Sequence, residues 1–208
     1  MFKNRIDAGE QLAKKLKQYQ GQDTVVLALP RGGVIIGYVV AQVLKSPLDI
    51  VVTRKVGHPD NPEYAVCVVD EKGSLLCNEM EIRAIDPLWL QTEILYQKKE
   101  AQRRVALYQG KRESPEIKGK MAIIVDDGIA TGFTMRLAVR AIKMQNPKKI
   151  IVAVPVAPAE SLLALKDEGA DEIIVLEPPE EFMGAVGSHY MEFEQVEDNE
   201  VINLLQKC

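Results

Sequence analysis

Apolar positions along this chain alternate between two rhythms. From residue 4 to about residue 20 they recur at helical spacing, with Ile6, Leu12, Ala13, Leu16 and Tyr19 on one face. Thr24 to Leu29 (TVVLAL) is then a short β-branched run, stopped by Pro30-Arg31-Gly32-Gly33, and Val34 to Leu44 lengthens into a largely apolar helix. Asp49 to Val56 (DIVVTRKV) reads as a second strand. The alternation resumes with a strand at Met121 to Val125, a helix from Phe133 to about Gln145, a strand at Lys149 to Val154, a helix over Ala159 to Glu168 ended by Gly169, and a strand at Glu172 to Leu176. Strands apolar on both faces, alternating with helices, predict a five-stranded parallel sheet covered on both sides.

The long gap between the second and third strands predicts an insertion over about residues 57–120. Ala65 to Val69 and Ser74 to Cys77 flank Asp70-Glu71-Lys72-Gly73, a hairpin pattern. Asp86-Pro87 supplies a helix N-cap and first position, and the helix runs to about Tyr108 with a charged second half, QKKEAQRR, read as a solvated face. Trp89 on that helix is read as core or interface. The segment from Pro178 onward leaves the strand–helix rhythm and predicts a small C-terminal hood over about 178–200, with the N-terminal helix beside it. One domain over residues 1–208 accounts for the whole pattern.

Composition narrows the function. The chain has 208 residues and a formal net charge of −4, so no broad basic field is available to hold nucleic acid, and phosphate binding must be local. No apolar run is long enough to span a bilayer, and the charged N-terminus lacks a secretory leader's apolar core. Three cysteines, Cys67, Cys77 and Cys208, without zinc-type spacing, are read as reduced thiols of a cytoplasmic protein.

In an open parallel sheet, ligands collect at the C-terminal strand ends, and three such ends carry unusual residues. Pro30-Arg31-Gly32-Gly33 offers close backbone approach and an arginine fork for an anion. Thr53-Arg54-Lys55 adds two cations. Asp126-Asp127 places two repelling carboxylates together, followed by Gly128-Ile129-Ala130-Thr131-Gly132-Phe133-Thr134, whose amides and hydroxyls enter a helix N-terminus suited to phosphate. Carboxylates for a diol, with a neutral phosphate cradle behind them, describe a site for ribose 5-phosphate.

The stretch VDDGIATGFT resembles the 5-phosphoribosyl diphosphate (PRPP) signature of type I phosphoribosyltransferases. NRIDAGEQLAKKL, LALPRGGVIIG, TRKVGHPDNPEYAV and FMGAVGSHYMEF resemble a bacterial group within that family, across nearly the whole chain. The resemblance implies the type I fold and transfer of a phosphoribosyl group from magnesium-bound PRPP to a nitrogen acceptor. Asp126 and Asp127 would bind the ribose hydroxyls and magnesium, directly or through water, while Gly128 to Thr134 hold the ribose and its 5-phosphate. Arg31, Gly32 and Gly33, in a loop that in this family often contains a non-proline cis peptide, would take pyrophosphate with Arg54 and Lys55. Arg31, Lys55 and the two aspartates are the expected catalytic set.

Gly128 departs from the bulky aliphatic residue usual at its position and is expected to loosen the loop. Ala130 stands where the 6-oxopurine enzymes carry an acidic base, which argues against hypoxanthine or guanine. Phe133 is open between packing and site wall. For the acceptor the candidates are Glu63, in the loop Asn61-Pro62-Glu63-Tyr64, and Phe182 and Tyr190 of the hood, the latter two equally suited to ordinary packing. His58 and His189 are read as loop or surface residues. A homodimer is expected, without nucleic acid or membrane partners. The alternatives are a non-catalytic PRPP- or nucleotide-sensing module, and a phosphoribosyl hydrolase or pyrophosphorolysis enzyme that would share the same residues.

Overall fold

The computed structural model describes residues 1–207, apart from the side chains of Glu63 and Pro179. Asn4 starts the first helix, α1 (Arg5–Leu16), by accepting from the amides of Ile6 and Asp7, both at 3.1 Å. There follow β1 (Thr24–Ala28), α2 (Gly32–Leu44) and β2 (Leu48–Ile50), and later β6 (Met121–Val125), α4 (Phe133–Lys143), β7 (Lys149–Val154), α5 (Ala159–Glu168) and β8 (Glu172–Val175). Between them lie β3 (Thr53–His58), β4 (Asn61–Asp70), β5 (Leu75–Cys77) and α3 (Pro87–Gln109), and α6 (Asp198–Gln206) closes the chain.

The main sheet is parallel with order β2-β1-β6-β7-β8, the five-stranded arrangement expected. Side-chain alternation divides its core in two. Val26, Ala28, Ile123, Val125, Ile151 and Ala153 face the layer holding α1, α2 and α6. Their neighbours Val25, Leu27, Ala122, Ile124, Ile150 and Val152 face α4 and α5. Both faces are dry, which is why these strands read as unbroken apolar runs. No helix among the described residues is long and apolar enough to cross a membrane.

The apparent strand Asp49–Val56 is two. β2 pairs with β1 only from Leu48 to Ile50; the chain then leaves the sheet, and Thr53 to His58 pair antiparallel with β4 in a second sheet, β3-β4-β5. The β-branched residues run straight across the break, so composition alone conceals it. The insertion therefore begins at Thr53, and Thr53-Arg54-Lys55 opens a hairpin rather than ending a main-sheet strand. β4 also starts earlier than expected, so Glu63 lies in a strand, not a loop; its side chain is outside the described residues.

Other departures follow from packing. Ile6 is exposed, while Arg5 occupies the buried face of α1 with Ala8, Leu12, Ala13 and Leu16. Residues 198–206, unassigned from the sequence, form α6, which buries Val201 and Leu205 and packs against α2 and α3. Cys67 and Cys77 are joined by a disulfide, not reduced, because the β4–β5 register sets them directly opposite; Cys208 lies outside the described residues. Trp89 packs beneath the hairpin sheet beside the small core of Val56, Val66, Cys67 and Val69. The hood is tied to the N-terminus: Phe2 donates to the His189 carbonyl at 2.8 Å, and Met191 donates back to Phe2 at 2.8 Å.

Ile123, at the centre of the sheet and fully buried, tests the packing directly. Ile123→Ala should cost about 2–5 kcal/mol, seen as a lower midpoint in urea unfolding followed by circular dichroism.

Candidate functional site

The order β2-β1-β6 makes the chain leave β1 and β6 in opposite directions, opening a crevice at their C-terminal ends. Leu29 donates to the Val125 carbonyl at 3.0 Å and holds the two ends together. After β1 the chain turns through Pro30–Arg31, a cis peptide bond, into the first turn of α2. There Gly32 and Gly33 lie directly on the acidic pair after β6. A Cβ at Gly32 would collide with the Asp127 carboxylate, and one at Gly33 would sit 2.8 Å from Asp126 Oδ1 and 3.1 Å from the Val125 carbonyl oxygen. Only bare backbone fits between the loop and the carboxylates.

The two aspartates have unequal partners. Asp127 Oδ2 accepts from Arg5 Nε at 2.8 Å, in a pair shielded from solvent. Arg5 is itself fixed: its Nη1 donates to the Glu194 carbonyl at 2.7 Å, and its guanidinium lies 3.8 Å from the Phe193 ring centre. Among the described residues Asp126 has no such cation, and its side chain accepts only the Asp127 amide at 2.8 Å. Burial pushes its carboxyl well above the ordinary range and the neighbouring Asp127 charge adds to the rise; Arg5 and Lys55 offset part of it. Burial also raises Asp127, against the pull of Arg5. Arg5 is not among the residues the sequence singles out. The available signal is a cation on the apolar face of α1, which implies a buried anion partner.

Beyond the pair, Gly128 has a reason opposite to the one expected. A Cβ there would lie 2.5 Å from Val186 and 2.7 Å from Val156, so glycine brings the hood onto the loop rather than loosening it. Ile129 is buried and donates to the Val156 carbonyl at 2.9 Å. Ser161 Oγ donates to the Ala130 carbonyl at 3.1 Å. Gly132, at φ +78°, turns the chain into α4, whose N-terminus has no side-chain cap. The first amides of a helix lack intrahelical acceptors, so the chain entering α4 at Gly132, Phe133 and Thr134 offers donors beside exposed Thr131. Phe133 packs against Val68, Leu76 and Leu137 and is a packing residue.

The cations reach this crevice from two sides. Arg31 Nη1 lies 3.8 Å from Asp198 on α6. Lys55 is exposed on β3, and with Arg54 it lines a cleft that also touches Pro30 of the glycine loop and Thr134 of the cradle. The hairpin is held over the cradle because β3, β4 and β5 pack on α4.

A family model for the phosphoribosyl transferase domain matches residues 2–184. The chain belongs to that family. It is 38% identical over 210 residues to a Mycobacterium tuberculosis protein, recorded in strains H37Rv and CDC 1551, that is named a putative phosphoribosyl transferase. All of this chain aligns, and it spans about half (47%) the length of those curated relatives. A crystal structure of TT1426 from Thermus thermophilus shares 38% identity and superposes with a TM-score of 0.81, over 99% of this chain and 98% of that one.

In this phosphoribosyl transferase domain the hood candidates divide. Tyr190 is buried, its ring packed between Phe2 and Phe193, and its hydroxyl donates to the Asp127 carbonyl at 2.6 Å. It braces the acidic turn and is not available to stack on an acceptor. Phe182 stacks on His189 with ring centres 5.4 Å apart. His189 is buried rather than on the surface; its Nδ1 bonds Glu177 and its Nε2 accepts from the Met183 amide at 3.0 Å. His58 accepts the Asp60 amide at 3.2 Å and borders the cleft at Lys55.

The elevated Asp126 pKa has a consequence for stability. A carboxyl that holds its proton more tightly when folded stabilises the fold fully below the ordinary aspartate value of 3.8, and that contribution drains away as pH rises through the elevated folded value. Wherever the unfolded carboxyl is ionised, keeping Asp126 buried therefore counts against folding. Asp126→Asn should therefore raise the melting temperature at pH 7–8 by roughly 2–4 °C per kcal/mol relieved. The gain should shrink towards pH 4 in a differential scanning fluorimetry series; an unchanged or lower melting temperature at pH 7–8 would contradict the assignment.

Proposed function

We propose that this chain transfers the 5-phosphoribosyl group of magnesium-bound PRPP to a nitrogen acceptor and releases pyrophosphate. The observation that carries the reading is the direct stacking of Gly32-Gly33 on the Asp126–Asp127 carboxylates, with the uncapped α4 N-terminus following just after them in the chain. A ribose spanning these points would set its hydroxyls on the aspartates, its 5-phosphate on the Ala130–Thr134 amides and its diphosphate along Arg31, Gly32 and Gly33.

Asp126 fits a magnesium ion, because it is a deep carboxylate whose charge no cation among the described residues matches directly. Magnesium is ordinarily bound through one or two carboxylates with phosphate and water completing its shell. Among the described residues no cluster of three or more metal-ligating side chains exists, so the diphosphate and water would have to supply most of that shell. When bound, the metal would neutralise charge on the diphosphate.

The remaining work falls to the chain. Cleavage of the bond from C1′ to the diphosphate oxygen sends the electron pair to pyrophosphate and develops positive charge on the sugar. Arg31 and Lys55 stabilise the leaving anion, and the aspartates orient the sugar and face its developing charge. Arg5 fixes the Asp127 carboxylate so that it need not reorganise during the step. The acceptor nitrogen forms the new bond to C1′ from the face that pyrophosphate does not occupy.

PRPP consumption with magnesium should be screened against purines, pyrimidines and simple amines while pyrophosphate is measured. Acceptor-dependent pyrophosphate release is expected; PRPP binding without release for any acceptor would favour the sensing module instead. Asp127→Asn should weaken PRPP binding or turnover at least about tenfold, since it removes one charged partner of a buried pair, and unchanged binding would remove the central assignment. Arg31→Ala should weaken pyrophosphate inhibition more than ribose 5-phosphate binding, and equal losses would argue against separate subsites.

A further inference from the structure

The cleft between β3 and the inserted helix α3 holds a second guanidinium, Arg104, beside Arg54 and an aromatic ring, Trp89, which a pyrophosphate reaching Lys55 does not account for. It encloses about 550 Å³, within the usual range for small-molecule sites and far more than a pyrophosphate needs. Arg54 and Lys55 of β3 line it, with Trp89, Gln97 and Arg104 of α3, and it also touches Pro30 of the glycine loop and Thr134. Along α3 the cleft therefore runs from an aromatic ring at Trp89 to a cation at Arg104.

Arg54 is half-buried, and among the described residues no carboxylate lies within ion-pair distance of it. Its one side-chain bond is neutral, from Nε to Gln97 Oε1 at 3.0 Å, and Gln97 in turn donates to Glu93 at 2.8 Å. Burial and the like charge of Arg104 both disfavour the Arg54 cation. Arg104 is weakly compensated. Glu100 meets it at 3.3 Å, but the same carboxylate makes two 2.8 Å bonds to Arg103. Glu93 is the acidic group on the lining, and its carboxylate already accepts from Gln97. Two neighbouring guanidinium groups without full counter-charge, partly out of water, favour an anion that can take a fork from each.

Towards the start of α3 the cleft carries an aromatic ring. Trp89 packs on the hairpin core and borders the same space, so a flat ring can lie on its indole. From Trp89 to Gln97, where Arg54 is held, the helix advances about 12 Å at its usual rise, and Arg104 follows about 10 Å further along, with its charge acting on Arg54. A ligand that reaches both ends must therefore be long as well as aromatic and anionic.

We propose that this cleft binds an elongated aromatic anion, its ring end on Trp89 and its carboxylate or phosphate group held by Arg54 and Arg104. Gln97 and Arg104 of the charged half of α3 then belong to a ligand wall, while Lys99, Gln102 and Arg103 face solvent. Through Pro30 and Lys55 the bound anion adjoins the glycine loop, so occupancy would be felt at the sugar site. The proposal stands on the cleft's own geometry and does not require the phosphoribosyl reading.

Trp89 is the sole tryptophan of the chain, so intrinsic fluorescence reports this cleft. Biphenyl-4-yl phosphate and biphenyl-4-carboxylate should be titrated against it, with calorimetry in parallel. The controls are phenyl phosphate, which is too short to span the cleft, neutral 4-hydroxybiphenyl and inorganic phosphate. One of the long anions should quench Trp89 and bind at least about tenfold more tightly than any control. Which of the two wins separates a phosphate from a carboxylate ligand. Arg104→Gln should weaken that binding about tenfold while leaving ribose 5-phosphate affinity unchanged; Arg54→Gln, checked by circular dichroism, should do the same to the long anion. Three results would overturn the proposal: no binding of either long anion, equal binding of any control, or unaltered affinity in both folded variants. Failure of ribose 5-phosphate to bind the wild-type chain would count against the donor assignment alone.

Discussion

Two adjacent carboxylates at the end of a dry parallel sheet are the constraint to which the rest of this site is fitted. Each carries a desolvation cost and each raises that of its neighbour. The chain meets half of the problem internally. Arg5 reaches from α1 to Asp127, and the hood fixes Arg5 in turn through the Glu194 carbonyl and the Phe193 ring. Asp126 is left without a direct cation among the described residues. A protein selected only for stability would not keep it so, which supports the proposal that the pair is a binding device whose counter-charge arrives with the ligand.

The glycines follow from the same constraint. Gly32 and Gly33 let backbone lie against the carboxylates, and Gly128 lets Val186 and Val156 close on the turn from the other side. Tyr190 holds the Asp127 carbonyl from beneath. The N-terminal segment, the hood and α1 therefore form one support for a two-residue turn, though they are distant in sequence. The hairpin sheet carries Lys55 over the opposite edge by packing on α4, so both ends of the prospective sugar are framed by elements that also build the core.

Much of this is legible in the sequence, because the signals are local. β7 and α5 begin and end where apolar period and capping residues place them, and the glycine loop, the acidic pair and the cradle fall at strand ends. What stays hidden depends on tertiary pairing. The break between β2 and β3 runs through a continuous β-branched stretch, and only the choice of partner strand reveals it. The Cys67–Cys77 bond needs the β4–β5 register. Arg5 escapes a reading by period because Ile6 draws the apolar face of α1 one position too far round. Tyr190 offers a ring that suits a ligand and is in fact a buried brace. The family match fixes the kind of domain this is; the substrate chemistry rests on the carboxylates, the loops and their charges.

The most direct test of this account is the proton balance of ligand binding. If Asp126 holds a proton well above the usual carboxylate range until a cation and a diol arrive, binding of magnesium–PRPP must expel it. Calorimetry at mildly acidic pH, in buffers of different ionisation enthalpy, should record net proton release by the wild-type chain and a smaller release by Asp126→Asn. Binding with no proton exchange, or with the same exchange in both, would contradict the claim that this carboxylate pair is the element held ready for the ligand.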